Sequence, residues 1–503
     1  MRLPLIGGSY VARSRIANSQ RCVNYFPEIN RQDSPVPFTF YQRPGLRYLT
    51  HGPGLLAVRM LYRATNGIGF CVIGAILYKI ERDFGLTTLG QLNPQFTGPC
   101  RAIDNGQTLV VVDGSQHGWQ VDLTSYAFSQ IVDGTGSFLG ANTLGYIDTY
   151  ILWNMPNSLN FGSTLSNSVT FDALYFAGKV GYPDLLVALQ VNRHEILLFG
   201  TLKSEIWYNA GNATFPFAQL PGAYIEHGCV APFSVQSVDI QTFWLGQDLE
   251  GRGVILSLKG YDVKRISNHA LEYAIQNMSE IGDAFAYTYQ QDGHYFYVIT
   301  FPSADQTWVY DVSMEGTPDM AWHQRGWIDS NGTLHRERAN CCAFINNVLV
   351  VGDWENGQLY KMDPTYYYDD VGGPLGTSTS IPCIKGFPHN LQAAALAAPP
   401  GTVLPSELKR IRYDRFYLDI ETGEHPLDAN GDKQQITLSV SLDRGQSFTD
   451  YPMQPTGAPG EYAVYPSWHQ LGTQRDVVFQ ISHSIPGPAA LNGAYVECTL
   501  LES

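Results

Sequence analysis

One three-part pattern recurs along most of the chain and limits the folds open to it. Each unit opens with a strand-like run, continues with a hydrophobic run ending near Gly or a polar residue, and closes on a short run centred on an aromatic. The units begin at LLAVRMLYR, CRAIDN, NTLGYID, LVALQVNR, FSVQSVDI, AFAYTYQQ and NCCAFINN. Their middle runs end at Gly74, Asp113, Asn154, Gly200, Gly246, Thr300 and Gly352. Those ends step by roughly 40 to 54 residues, the period of a four-stranded propeller blade. One unit alone would leave an apolar sheet face wet, and stacking units around an axis buries both faces. A β-helix needs a much shorter period, and a β-sandwich pair does not repeat seven times. The pattern predicts an all-β fold, a six- or seven-bladed β-propeller.

The stretch from Ser204 to Ser267 shows one full turn of this pattern. EIWYNAGN, PGAYIEHGCVAPFSV, QTFWLGQD, GVILSL and GYDVKRIS alternate β-branched and aromatic runs with Gly, Asn and Asp turns, as antiparallel strands with tight connections do. Before the repeat, Met1 to Tyr48 carries Pro27, Pro35, Pro37 and Pro44. Prolines at that density predict an irregular arm, residues 1–50, lying on the surface or on a partner. The propeller is expected over 51–363. YYYDDVGGPLGTSTS then reads as a linker, 364–379. Residues 380–503 carry further strand-like runs, among them KRIRYDRFYLDIETG, QQITLSVSLDRGQSF, YAVYPSW, RDVVFQIS and AYVECTLL, with no repeat. They predict a C-terminal β-sandwich domain.

Charge bears on partners. The net charge is −15, with charged residues at 15% and aromatics at 13%. A protein that grips nucleic acid through phosphates needs the opposite balance, whereas a wall past which DNA slides is expected to be acidic or neutral. The densest basic run is Lys409, Arg410, Arg412 and Arg415. Strict alternation places Arg410, Arg412, Asp414 and Phe416 on one strand face and Lys409, Ile411, Tyr413 and Arg415 on the other.

Sites of chemistry are not evident. Ser441, Asp443, Gly445, Ser447 and Phe448 fit an Asp-box hairpin, with Asp443 accepting turn N–H groups and Phe448 packing beneath. His194-Glu195 begins an HExxH zinc motif, but Leu198 stands where the second His belongs. Ala177-Gly-Lys-Val-Gly lacks the remainder of a phosphate-binding loop. Asp104, Asp113, Asp148 and Asp353 stand at strand ends and read as turn formers. The eight cysteines, Cys22, Cys71, Cys100, Cys229, Cys341, Cys342, Cys383 and Cys498, form no CxxC pair. They read as core thiols from a reducing compartment. No catalytic residue, cofactor or metal site is expected. No apolar run reaches the ~18 residues of a membrane span, nor is there a signal peptide, so synthesis in the cytoplasm is expected. Tyr366, Tyr367 and Tyr368 are expected to serve a subunit contact.

The order of several runs carries a resemblance. SQRCVNYFPEI, RPGLR, EIWYNAG, GAYIEHG, APFSV, GYDVKRIS, WHQLGTQRDVVFQI and LNGAYVECTL together resemble the tail hub of short-tailed podovirus-type bacteriophages, also called the nozzle or packaged-DNA stabilisation protein. The resemblance implies a structural virion protein and not an enzyme. It implies a homo-oligomeric ring, a hexamer, that closes the DNA-filled head below the portal and its adaptor ring. Such a ring retains packaged DNA, lets double-stranded DNA pass through its lumen without specific binding, and docks tail fibres or spikes and a tail needle or plug. The competing expectation is a propeller glycosidase or lectin-like protein acting on host surface polysaccharide.

Overall fold

The computed structural model describes all residues except 1, 4, 14–18, 133–137, 167–168, 330–332, 371–380, 383–388, 393–409, 429, 444–445, 475–476 and 502–503. Its middle strands fall where the repeat places them: Gly69–Ile73, Thr108–Val112, Tyr150–Asn154, Glu195–Gly200, Gln241–Gln247, His294–Phe301 and Val348–Asp353. Each is flanked by antiparallel neighbours, and the described residues form seven blades, six of four strands and a seventh whose four strands continue into two short ones, Tyr368–Asp369 and Ile381–Pro382. The innermost strands are Val58–Arg63, Arg101–Asp104, Leu144–Ile147, Leu186–Asn192, Gln236–Val238, Phe285–Gln291 and Ala339–Ile345.

The middle strands are near-continuous apolar runs because both faces are buried. In Thr108–Val112, Leu109 and Val111 pack toward blade one, while Val110 and Val112 pack toward blade three. Every neighbouring pair of blades shares such a core, including blades seven and one through Val58, Cys71, Ile345, Val350 and Leu359. The ring is therefore closed. Helix is scarce: one eight-residue helix, His269–Gln276, lies between blades five and six. Asn268 caps it by accepting from the Leu271 N–H at 2.9 Å, which satisfies one of the orphan donors of the first turn.

The N-terminal stretch departs from the expected surface arm. Gly45–His51 forms the fourth strand of blade seven, pairing with Gln358–Asp363 from the far end of the propeller. Upstream, Tyr25–Ile29 and Phe38–Gln42 join the larger sheet of the C-terminal sandwich, and Arg2–Leu3 pairs with Leu491–Leu500 in that sheet. The prolines do not prevent this. Pro27 sits in an edge strand, where a missing N–H costs no ladder bond, and Pro44 falls between strands.

In the sandwich the larger sheet orders Tyr25–Ile29, Phe38–Gln42, Leu491–Leu500, Ile411–Ile420 and Ser467–Gln474. The second orders His389–Gln392, Val478–Ser482, Gln435–Ser441 and Thr449–Asp450. Their shared core mixes Leu3, Leu5, Ile6, Tyr25 and Phe40 with Phe416, Trp468, Phe479 and Val496. The run YAVYPSW is not itself a strand. Pairing starts at Ser467, just past Pro466, and runs to Gln474.

Candidate functional site

Two places concentrate buried polar groups: the seam between propeller and sandwich, and a cavity among the innermost strands. At the seam the N-terminal chain runs along the outer strand of blade six. The Asn24 N–H donates to the Gln324 carbonyl at 2.9 Å, and Asn24 Nδ2 to the Gly326 carbonyl at 2.8 Å. Asn24 adopts φ of 60°, a left-handed conformation that Asn tolerates better than most residues. Nearby, Arg43 Nε donates to Asn24 Oδ1 at 3.1 Å, and its guanidinium forks onto the Asp369 carboxylate. Asp369 also accepts from the Leu46 N–H.

His294 adds a titratable tie at the same seam. Its Nδ1 lies 2.6 Å from Asp311 and its Nε2 3.5 Å from Glu28 on the N-terminal strand. Burial alone would lower its pKa, but the bond to Asp311 and the charges of Asp311 and Glu28 outweigh burial and hold it above 6.5. A raised pKa in the folded state adds stability that is fully present below the unfolded value and is lost as pH rises through the folded one. The melting temperature of the wild-type chain is therefore expected to fall between pH 6 and pH 8 more than that of His294→Gln. Thermal scans of the two proteins across that range check this, and parallel curves would refute it.

The residues singled out from sequence separate into structural roles. Asp104 accepts from the Tyr62 hydroxyl, the Thr65 N–H and the Gly106 N–H. Asp113 accepts from the Ser115 N–H. Asp353 holds Arg338 at 3.0 Å and the Tyr360 hydroxyl at 2.9 Å. Asp148 faces His194 at 3.3 Å on the exposed rim, and Glu195 accepts from Tyr261. Lys179 is buried, bound to Asp184 and to the Lys203 carbonyl, so its ammonium is not presented to a phosphate. Asp443 accepts from Ser441, Gln446 and Ser447, and those bonds hold its carboxyl well below the usual range. Phe448 does not pack beneath this turn but is 38% exposed, while Gly445 lies outside the described residues. Cys22, Cys71, Cys100, Cys229, Cys341, Cys342 and Cys498 are free thiols. Cys383 and Lys409 fall outside the described residues.

The basic strand departs from strict alternation. In Ile411–Ile420 the register shifts between Tyr413 and Arg415, leaving Asp414 as a bulge. A bulge inserts one residue and reverses the phase of the alternation that follows. Ile411 and Tyr413 are buried before it, and Phe416, Leu418 and Ile420 after it. Phe416 thus faces the core with Tyr413, not the side of Arg410 and Arg412. Arg412 is spent on Asp414 at 2.7 Å, and Arg415 lies over the Tyr417 ring. Tyr366, Tyr367 and Tyr368 are half-buried. Tyr366 bonds Asp370 and lies under Arg47, and Tyr367 lines a cavity between propeller and sandwich.

Sequence reasoning missed several exposed apolar side chains on blades three and four. Leu174, Val180, Leu202 and Tyr224 are 78%, 72%, 56% and 49% exposed. Exposed apolar patches mark interaction surfaces. The signal available was apolar residues in the outer-strand run FDALYFAG and its following loop, outside the three-part repeat. Among the described residues no helix is long and apolar enough to cross a membrane.

Solved structures similar to this chain include three of low identity. The extracellular domain of a hybrid two-component system from B. thetaiotaomicron shares 8% identity at a TM-score of 0.43, covering 65% of this chain and 41% of that one. The computationally designed Ika8 protein shares 11% at 0.38, covering 63% and 99%. The WD40 β-propeller domain of Doa1 shares 11% at 0.38, covering 64% and 98%. No curated protein matches the chain in sequence. A family model does: residues 1–367 match that of bacteriophage P22 Gp10, β-propeller. The match takes in the N-terminal strands that close the ring and stops before most of the sandwich, so the resemblance of Trp468 to Leu500 lies beyond it. Spanning well over half of the sequence, it makes this chain a member of the phage stabilisation family of the P22 Gp10 β-propeller.

Proposed function

We propose that this chain is the tail hub, or nozzle, of a short-tailed phage. In that role six copies form a ring below the portal and adaptor rings, close the filled head, retain the DNA and leave an ejection channel. The observation that carries the reading is the family match across residues 1–367, which covers the propeller and the N-terminal strands that close it. Charge supports it. Six copies of a chain at −15 would present a lumen of the same sign as duplex DNA, and at a Debye length of about 8 Å the repulsion acts only near the wall. Retention then falls to a plug or narrow gate and not to a basic clamp. The exposed apolar side chains of blades three and four support docking of fibres, spikes or a neighbouring subunit.

The role is structural and not enzymatic. A propeller glycosidase would need two facing carboxylates, and the strand-end aspartates are each committed to separate turns or ion pairs. Phage particles assembled without this chain are expected to package DNA and then lose it, and heads carrying the adaptor are expected to bind six copies by mass measurement. Particles that keep their genomes without the chain, or that bind single copies, would overturn the reading.

A further inference from the structure

The innermost strands of blades one, two, five, six and seven line a cavity of about 170 Å³. Two of its polar residues are surplus residues of β-bulges. Val58 pairs with Ile73 and Met60 with Val72, leaving Arg59 between them without a ladder partner. Ala339 pairs with Asp353 and Cys341 with Gly352, leaving Asn340 likewise. Bulges re-aim the surplus side chain, and here both line the cavity. Arg101, first residue of the innermost strand of blade two, lines it as well, with Gln236, Tyr287 and Thr288.

Arg59 is 3% exposed. Its Nε donates to the Gly98 carbonyl at 2.6 Å and its Nη1 to the Gly74 carbonyl at 3.0 Å, while Nη2 is buried with no protein acceptor. Arg101 Nη2 donates to the Phe233 carbonyl at 3.0 Å, and the guanidinium lies over the Phe233 ring. Burial pushes Arg101 down to about 10. Burial also pushes the Cys100 thiol, which lines the same cavity, up to about 12, against the fields of Arg59 and Arg101 and with that of Asp113. No carboxylate lines the cavity.

Two arginines, Arg59 and Arg101, line one partly open cavity that no carboxylate lines, and buried charge is costly unless it is paired. We propose that this cavity binds a small dianionic oxyanion of the phosphate or sulfate type, held between Arg59 Nη2 and Arg101. A dianion matches both charges, whereas one monocarboxylate leaves a guanidinium uncompensated. The planar fork of each guanidinium suits a tetrahedral oxyanion. The volume holds about five waters, enough for such an ion with residual water. It is well below the ~300 Å³ at which pockets for larger organic ligands begin. A ligand bound only by the native state stabilises it by mass action.

The test is calorimetric titration and thermal unfolding of the full chain in chloride buffer at constant ionic strength, with inorganic phosphate, sulfate and acetate as probes. Phosphate and sulfate are expected to bind saturably at one site per chain and to raise the melting temperature, with acetate at least tenfold weaker. Arg101→Gln leaves the bonds of Arg59 in place and is expected to keep the wild-type circular dichroism while losing phosphate affinity at least tenfold. Arg59→Lys keeps the charge but not the fork, and is expected to weaken phosphate at least fivefold. No saturable phosphate binding by the wild type overturns the proposal. So does undiminished affinity in both variants, or acetate binding as tightly as phosphate.

Discussion

A chain lacking residues 1–51 is expected not to fold, in either half. The deletion takes the fourth strand of blade seven, Gly45–His51, together with Tyr25–Ile29 and Phe38–Gln42 of the sandwich. It removes Leu3, Leu5, Ile6, Val23, Tyr25, Phe26, Phe40 and Leu46, all buried. At on the order of 2 kcal/mol for each buried apolar side chain, their combined loss is of the size of the whole stability of a typical domain, about 5–15 kcal/mol. It also exposes the hydrogen-bonding edge of Gln358–Asp363, and such an edge recruits other chains. The outcome expected on expression is insoluble protein, or a soluble fraction without a cooperative thermal transition. A soluble deletion variant that melts within a few degrees of the wild type would show the N-terminal strands to be dispensable.

The same strands explain which parts of the fold were legible in sequence. The middle strands were readable because burial on both faces demands unbroken apolar runs such as TLVVV and YILWN. The outermost strands were not. LTTLGQ, FSQ and DVKR are half-exposed and carry no consistent hydrophobic pattern, so each four-stranded blade read as a three-part unit. The fourth strand of blade seven was hidden for a further reason: it lies some 300 residues from its partner, a separation that no local periodicity reports. Gly45–His51 needs its partner to count as a strand, and the prolines around it signalled irregularity.

Phase errors had a different source. The alternation drawn for Ile411–Ile420 was correct up to Tyr413 and reversed after it, because one extra residue, Asp414, leaves no trace in composition. Bulges at Arg59 and Asn340 were equally silent. These two place polar side chains at the cavity, so the candidate anion site was the least legible feature. Arg59 in LLAVRMLYR reads as a polar residue on a strand face, and only the ladder shows that it has no position opposite it. The strand-end aspartates were legible because an Asp side chain can accept the N–H two residues on and so announce a turn, as Asp104, Asp113 and Asp353 do for Gly106, Ser115 and Glu355.

Removing the Asp369 carboxylate is expected to be the most damaging single substitution at the seam. Arg43 is 4% exposed, and it also donates to neutral oxygens of Asn24 and Pro44. Asp369 supplies the negative charge opposite it and also accepts from the Leu46 N–H at 3.2 Å, the point where the closing strand enters blade seven. Asp369→Ala therefore removes the carboxylate opposite a buried guanidinium and unties that strand together. Breaking a buried pair from one side typically costs about 3–5 kcal/mol. Arg43→Met with Asp369→Leu removes both charges and is expected to recover much of that loss, because burying an ion pair already carries a desolvation cost that apolar replacements avoid. Urea unfolding of the wild type, the single variant and the double variant gives the three stabilities. If the double variant is as unstable as Asp369→Ala alone, the seam depends on the Leu46 bond and the shape of the site, and the loss of the carboxylate charge is not the cause. If Asp369→Ala loses less than about 1 kcal/mol, the value expected of an exposed pair, the seam does not latch the ring. The geometry argues for the first order of stabilities: wild type, then double variant, then Asp369→Ala. The carboxylate sits where blade seven, the N-terminal strand and the approach to the sandwich meet.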